Sequence, residues 1–249
     1  MRKAFKGILR GYLIMALLII GWLGSANVVE AKQSTKASDE PRVIVIDPGY
    51  QQEAANGKEP VGPGAFKSTS GVISGNIGEV TQYAEYEMNL DIARKLEKIL
   101  VDEGYTVILT RCSSDVNISN SERAMMANTA EADIMVGITA NSDGSLTDDG
   151  VEIVCQSEEN PYNYGNYGRA RLLSDAVLGS LVQSTGNSKG SVIEDDNRTI
   201  INWSVVPTTI VEVGSLANEA DEELLVTDEY QEKIADGIAA GIESYFSQK

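Results

Sequence analysis

Short apolar runs rich in β-branched residues alternate along this chain with segments whose apolar residues recur every three or four positions. Val43–Asp47, Tyr105–Thr110, Ile134–Thr139, Val151–Cys155 and Thr208–Val213 read as buried strands. Between them, Met88, Ile92, Leu96, Ile99 and Leu100 share one face of a helix over Glu85–Glu103, with Gly104 suited to the turn beyond its end. Ser119-x-x-Glu122 is a capping box that opens a helix through Ala127. Arg169–Gln183 turns Leu172, Leu173, Ala176, Val177 and Leu181 inward, Asn218 caps a short helix, and Asp228–Ser244 sets Ile234, Ile238 and Ile242 in register. Strands separated by helices return in parallel, because a parallel pair needs a crossover. The pattern therefore predicts one α/β domain, a twisted and mainly parallel sheet of about six strands flanked by helices. Residues 50–84 and 184–202 carry no such pattern and are expected to be loops. The first is long enough to suggest a functional or mobile element.

The N-terminus stands apart. Arg2, Lys3, Lys6 and Arg10 precede an unbroken apolar run, Leu13 to Leu23, and small residues follow up to Ala26 and Ala31. That is the layout of a secretory signal peptide over 1–31. Eleven apolar residues fall short of the roughly 20 that span a bilayer. An uncleaved N-terminal membrane anchor is the alternative. Residues 32–41 read as a polar, disordered lead-in, and 42–249 as the folded domain. The expected location is secreted, extracellular or cell-wall associated. Removing 1–31 takes four basic residues and one acid from the 20 and 37 of the whole chain, leaving a net charge of −20. Nucleic acid is excluded as a partner, because phosphate recognition needs a basic face. Cys112 and Cys155 are the two cysteines. In an exported protein they can pair; the alternative is two separate thiols, one buried in a strand.

The chain has no histidine. That removes a Ser-His-Asp triad, a Cys-His pair and any His-ligated zinc. Open α/β sheets nevertheless build their sites beyond the carboxyl ends of strands. Tyr50, Glu85, Thr139 and Glu212 fall there or at the start of the next helix. Glu212 lies within the apolar run 209–214, where an ionised carboxylate is expensive to bury unless it is paired or used.

Seven segments in order carry a resemblance: Val45-Ile46-Asp47-Pro48-Gly49, Glu85-Tyr86-Glu87-Met88-Asn89-Leu90, Leu109-Thr110-Arg111, 117–123 (Asn-Ile-Ser-Asn-Ser-Glu-Arg), Ile138-Thr139-Ala140-Asn141, Asn202-Trp203-Ser204-Val205-Val206-Pro207 and Ile210-Val211-Glu212-Val213-Gly214. Over residues 42–248 the chain resembles the zinc-dependent N-acetylmuramoyl-L-alanine amidases of bacterial cell-wall turnover. The resemblance implies a mainly parallel sheet between helices. It implies zinc held by a His after Asp-x-Gly, a Glu opening the next helix and a His in Ile-His-Ala-Asn. A second Glu, in Val-Glu-x-Gly, serves as general base and acid, and the amide between N-acetylmuramic acid and L-alanine is cleaved. Carried over, the metal positions are Tyr50, Glu85 and Thr139, the catalytic glutamate is Glu212, and Asn141 is a substrate-binding candidate.

Both imidazole positions hold hydroxyl side chains. The expectation is a secreted, degenerate amidase that holds no zinc and binds peptidoglycan, its stem peptides or a protein partner instead of cleaving. One alternative is an active amidase with an oxygen-rich metal site for Ca²⁺, Mg²⁺ or Mn²⁺, drawing on Tyr50, Glu85 and one of Asp47, Asp143 or Asp148. A third reading is metal-free acid–base chemistry by Glu85 and Glu212, which depends on their separation. Arg111 and Arg123 are expected to pair internally with acidic neighbours. Trp203 is open between packing and lining the groove.

Overall fold

The computed structural model describes residues 40–55, 57–141, 150–187 and 189–248, and from Glu40 onward they belong to one structural unit. The signal-peptide segment and all but the last two residues of the lead-in lie outside the described residues, as do Asp143 and Asp148.

Strand β1 (Val43–Pro48) is the first of the sheet, and its sequence explains its place. Ile44 and Ile46 enter the core on one face and Val45 on the other, so the strand is buried on both sides. A small antiparallel hairpin follows, β2 (Lys58–Pro60) with β3 (Ser68–Ser70). Helix α1 (Glu85–Asp102) buries Met88, Ile92, Leu96 and Leu100, the predicted stripe. Gly104, at φ +93°, makes the turn into β4 (Thr106–Leu109). Helix α2 (Asn120–Thr129) starts at the predicted capping box, with both reciprocal hydrogen bonds between Ser119 and Glu122. Then come β5 (Ile134–Asn141), β6 (Gly150–Cys155), α3 (Tyr167–Thr185), β7 (Lys189–Glu194), α4 (Thr199–Trp203), β8 (Thr208–Ser215), α5 (Glu219–Leu225) and α6 (Asp228–Ser247).

The six-stranded sheet has the order β4-β1-β5-β8-β6-β7. Strands β4, β1, β5 and β8 run parallel; β6 is antiparallel to β8, and β7 follows β6 in parallel. Helices α1, α3 and α6 cover one face with the larger core, and α2 and α4 cover the other. The predicted α/β architecture is borne out. Helix α6 approaches α3 closely: a Cβ on Gly241 would lie 2.5 Å from Val177 Cα, and one on Gly237 2.8 Å from Leu181 Cα. Only glycine permits that approach.

Two sequence expectations need correction. The segment 184–202 is not one loop, since it contains β7 and α4. Strand β7 is an exposed edge strand with only Val192 and Ile193 as apolar residues, so it lacks the buried run that marked the others. The segment 50–84 holds the β2–β3 hairpin and is pinned by buried acids. Glu59 accepts from Asn120 N, Asn120 Nδ2 and Ser121 N at the start of α2. Of the two readings of the cysteines, the structure has the separate thiols, Cys155 buried at the end of β6 and Cys112 exposed.

Candidate functional site

The carboxyl ends of β1, β5 and β8 lie side by side at the centre of the sheet, and the residues singled out from the sequence collect there. At the exit of β1, Gly49 N donates to Ile138 O at 2.9 Å. A Cβ on Gly49 would lie 2.5 Å from the Thr139 methyl and 2.9 Å from Ile138 O, so glycine is required for β1 to pass β5 this closely. Tyr50 follows at φ +61°, a left-handed conformation that costs a non-glycine residue about 1 kcal/mol or more.

Two buried guanidinium groups hold that backbone. Arg123 donates from Nη1 to Asp47 Oδ1 (2.9 Å) and Pro48 O (2.9 Å), and from Nη2 to Tyr50 O (3.1 Å) and Gln51 Oε1 (2.9 Å). Arg111 donates from Nε to Pro48 O (2.8 Å) and from Nη2 to Gly49 O (3.0 Å) and Tyr86 O (2.7 Å). Burial, then the neighbouring Arg123, lowers the Arg111 guanidinium to about 10. Internal pairing with an acid therefore holds for Arg123, through Asp47. Arg111 instead binds main-chain carbonyls, which sequence does not display. Asp47, a metal candidate in the oxygen-rich alternative, accepts from Arg123 and from the Thr110 hydroxyl.

Glu85 opens α1 and is fully buried. Its Oε2 accepts from Asn76 N (2.9 Å) and its Oε1 from Ala140 N (2.8 Å). Burial pushes its carboxyl up to about 7; the Asn76 and Ala140 amides pull it back, and nearby Glu212 adds to the rise. A Cβ on Gly75 would lie 2.8 Å from Glu85 Oε2 and 2.9 Å from Tyr50 Cδ2, so Tyr50 and Glu85 flank the same glycine. Thr139 pairs with Glu212 across the β5–β8 ladder. Its hydroxyl is buried without a hydrogen-bond partner among the described residues. Glu212 is 5% exposed and accepts from Arg198 Nη2 at 2.9 Å. The structure thus brings Tyr50, Glu85, Thr139 and Glu212 together. The side chain of Asn141 lies outside the described residues.

A cavity of ≈ 190 Å³ opens over these strand ends, lined by Tyr50, Thr139, Arg198 and Ile200 and by the 69–73 segment after the hairpin. Among the described residues no group of three or more His, Cys, Asp or Glu is arranged to hold a metal ion. Trp203 packs against the α2–α4 core and donates from Nε1 to Pro60 O at 3.0 Å, which settles it as a packing residue. Sequence reasoning missed Arg198. The only local signal is Asp195 three residues before it, and nothing in the pattern aims it at Glu212 fourteen residues ahead.

Residues 44–244 match the N-acetylmuramoyl-L-alanine amidase family model. Among solved structures, the chain is 26% identical to the catalytic domain of CwlV, an N-acetylmuramoyl-L-alanine amidase from Bacillus (Paenibacillus) polymyxa. The TM-score is 0.64, and the match covers 84% of this chain and 99% of that one. Ami1, the N-acetylmuramyl-L-alanine amidase of Mycobacterium smegmatis, superposes with a TM-score of 0.75 at 22% identity, over 84% of this chain and 99% of that one. That second likeness bears on the fold alone. An uncharacterized protein of Bacillus subtilis, YqiI, is 41% identical over 49 residues; the match spans 20% of this chain and 24% of that relative's length.

Proposed function

The chain belongs to the N-acetylmuramoyl-L-alanine amidase family, and from that premise we propose that it is an exported, non-cleaving member that meets peptidoglycan or its stem peptides through the family's groove. The observation that carries this reading is the donor set at the strand ends. Zinc sites in hydrolases use three protein ligands drawn from Cys, His, Asp and Glu, plus water. The three positions that the resemblance assigns to the metal are Tyr50, Glu85 and Thr139.

The Thr139 hydroxyl lacks a hydrogen-bond partner among the described residues, and that alone would welcome a ligand. The other donors argue against a dication. A phenol ionises near 10 and a hydroxyl is a neutral donor, so neither supplies the lone pair of an imidazole at neutral pH. Both Glu85 oxygens already accept from main-chain amides. Glu212 already accepts from a guanidinium. These residues do not fit zinc. Metal-lowered water pKa and carbonyl polarisation are then missing. A general base by itself is worth about 10²–10⁴-fold, far short of useful amide hydrolysis.

Export is supported by the basic start and apolar run of residues 1–31. No helix among the described residues is long and apolar enough to cross a membrane. A second protein as the groove's partner is the other outcome to test.

Purified protein, measured for bound metal by mass spectrometry and incubated with purified peptidoglycan, is expected to carry well under one equivalent of zinc. It should release no muramoyl–peptide products while co-sedimenting with sacculi. One equivalent of metal with chelator-sensitive release would overturn the reading. Metal-free release lost in Glu212→Gln would replace it with carboxylate chemistry. Absence of both release and sacculus binding would leave a protein partner as the groove's occupant.

A further inference from the structure

We propose, resting on the reading above, that Arg198 is the resident cation of the cavity: its guanidinium ties down Glu212 and excludes a metal ion from the strand ends. Glu212 sits on the central strand β8, almost without solvent. Across the antiparallel ladder it faces Glu152, and Glu85 lies near enough to interact with it electrostatically. Like charges directly opposite one another destabilise a ladder, and a buried carboxylate needs a counter-charge.

Arg198 supplies one. It is the residue just before α4, where the chain turns inward over the sheet. Its Nη2 donates to Glu212 Oε1 at 2.9 Å and its Nε to Asp195 Oδ2 at 2.9 Å. It lines the same cavity as Tyr50 and Thr139. Asp195 thereby orients the guanidinium, and the guanidinium occupies the carboxylate that the family uses as a base. A divalent ion at these strand ends would meet a fixed positive charge in a half-buried setting, where repulsion is weakly screened. Arg198 is a positioning residue in this account, acting through Glu212.

Two measurements on the full chain test this. In the first, Arg198→Ala, Glu212→Gln and the double variant are unfolded in denaturant. Arg198→Ala should lower the folding constant roughly 10- to 100-fold, Glu212→Gln should recover most of that loss in the double variant, and Arg198→Lys should keep most of the wild-type stability. Additive losses would overturn the proposal. If Arg198→Ala does not fold, folding of the double variant supports the proposal and its failure overturns it.

In the second, zinc affinity is measured by calorimetry in Tyr50→His/Thr139→His, with and without Arg198→Ala. Removing the guanidinium should tighten zinc at least tenfold, a readout that a merely structural arginine would not move. Equal affinities overturn the proposal and leave the non-cleaving reading intact. No zinc binding in either background overturns both the assigned metal positions and the proposal that Arg198 is what excludes a metal ion.

Discussion

At the scale of single residues, the site is held by cations more than by acids. Arg123 is completely buried and spends its guanidinium on Asp47, two main-chain carbonyls and Gln51 at the exit of β1. Removing it strands the Asp47 carboxylate in the core. Arg123→Met should therefore lower the unfolding free energy by about 3 kcal/mol or more, read from chemical denaturation. A loss under about 1 kcal/mol would mean that solvent reaches Asp47 and that the pair carries little. Much of this was legible beforehand: Asp47 and Arg123 both stand in recognisable segments, and a buried opposite pair is the simplest account of them. The carbonyls gripped by Arg111, those of Pro48, Gly49 and Tyr86 with Ser113 beside them, were not legible, because every residue has a carbonyl and no side-chain pattern marks which ones converge. Arg198 was hidden for a related reason. Its partner Glu212 lies on strand β8, while Arg198 stands just before α4, and only the fold brings the two within hydrogen-bonding distance.

At the scale of elements, the buried strands and long helices followed from periodicity because their apolar faces are unambiguous. The exposed edge strand β7 did not, since half-solvated polar residues give no period to read. The segment before α1 also gained an order that its composition concealed. Glu222 on α5 accepts from Val80 N (3.1 Å), Thr81 N (2.6 Å) and Thr81 Oγ1 (2.6 Å), fastening the segment from a distant helix. Burial alone would raise this carboxyl; the hydrogen bonds from Thr81 and Val80 outweigh it and hold the group below its ordinary value of 4.5. A lowered folded value means the contribution is complete above that ordinary value and fades as pH falls through the lowered one. Corrected protection of the Thr81 amide should thus fall as the pH is lowered from about 6 to about 3. In Glu222→Gln it should be low at both. Equal protection at both pH values in the wild type would show that the fastening does not depend on the charge.

At the scale of the whole molecule, acidity and fold point the same way. A net charge of −17 for the full chain opposes long-range attraction to a polyanion. Contact with an anionic wall must then rest on shape and local hydrogen bonds within the groove. Co-sedimentation with sacculi should hold or strengthen as salt rises from about 50 to 500 mM, because screening weakens only the long-range repulsion. A several-fold loss over that range would reveal a charge-driven contact elsewhere on the surface. The fold itself is an ordinary amidase-like sheet with covered faces, and the matched residues 44–244 span nearly all of the described unit.

The segment between β1 and α1 is anchored by Glu59, Glu85 and Glu222, and each of them accepts mainly from backbone N–H groups. Every amino acid except proline offers such a donor. The route of this stretch is therefore fastened by one acid within it, one at its end and one on a distant helix, with Gly75 and Gly78 leaving room for the Glu85 and Glu222 carboxylates, and the amides of Asn76, Val80 and Thr81 can donate whatever non-proline side chain they carry.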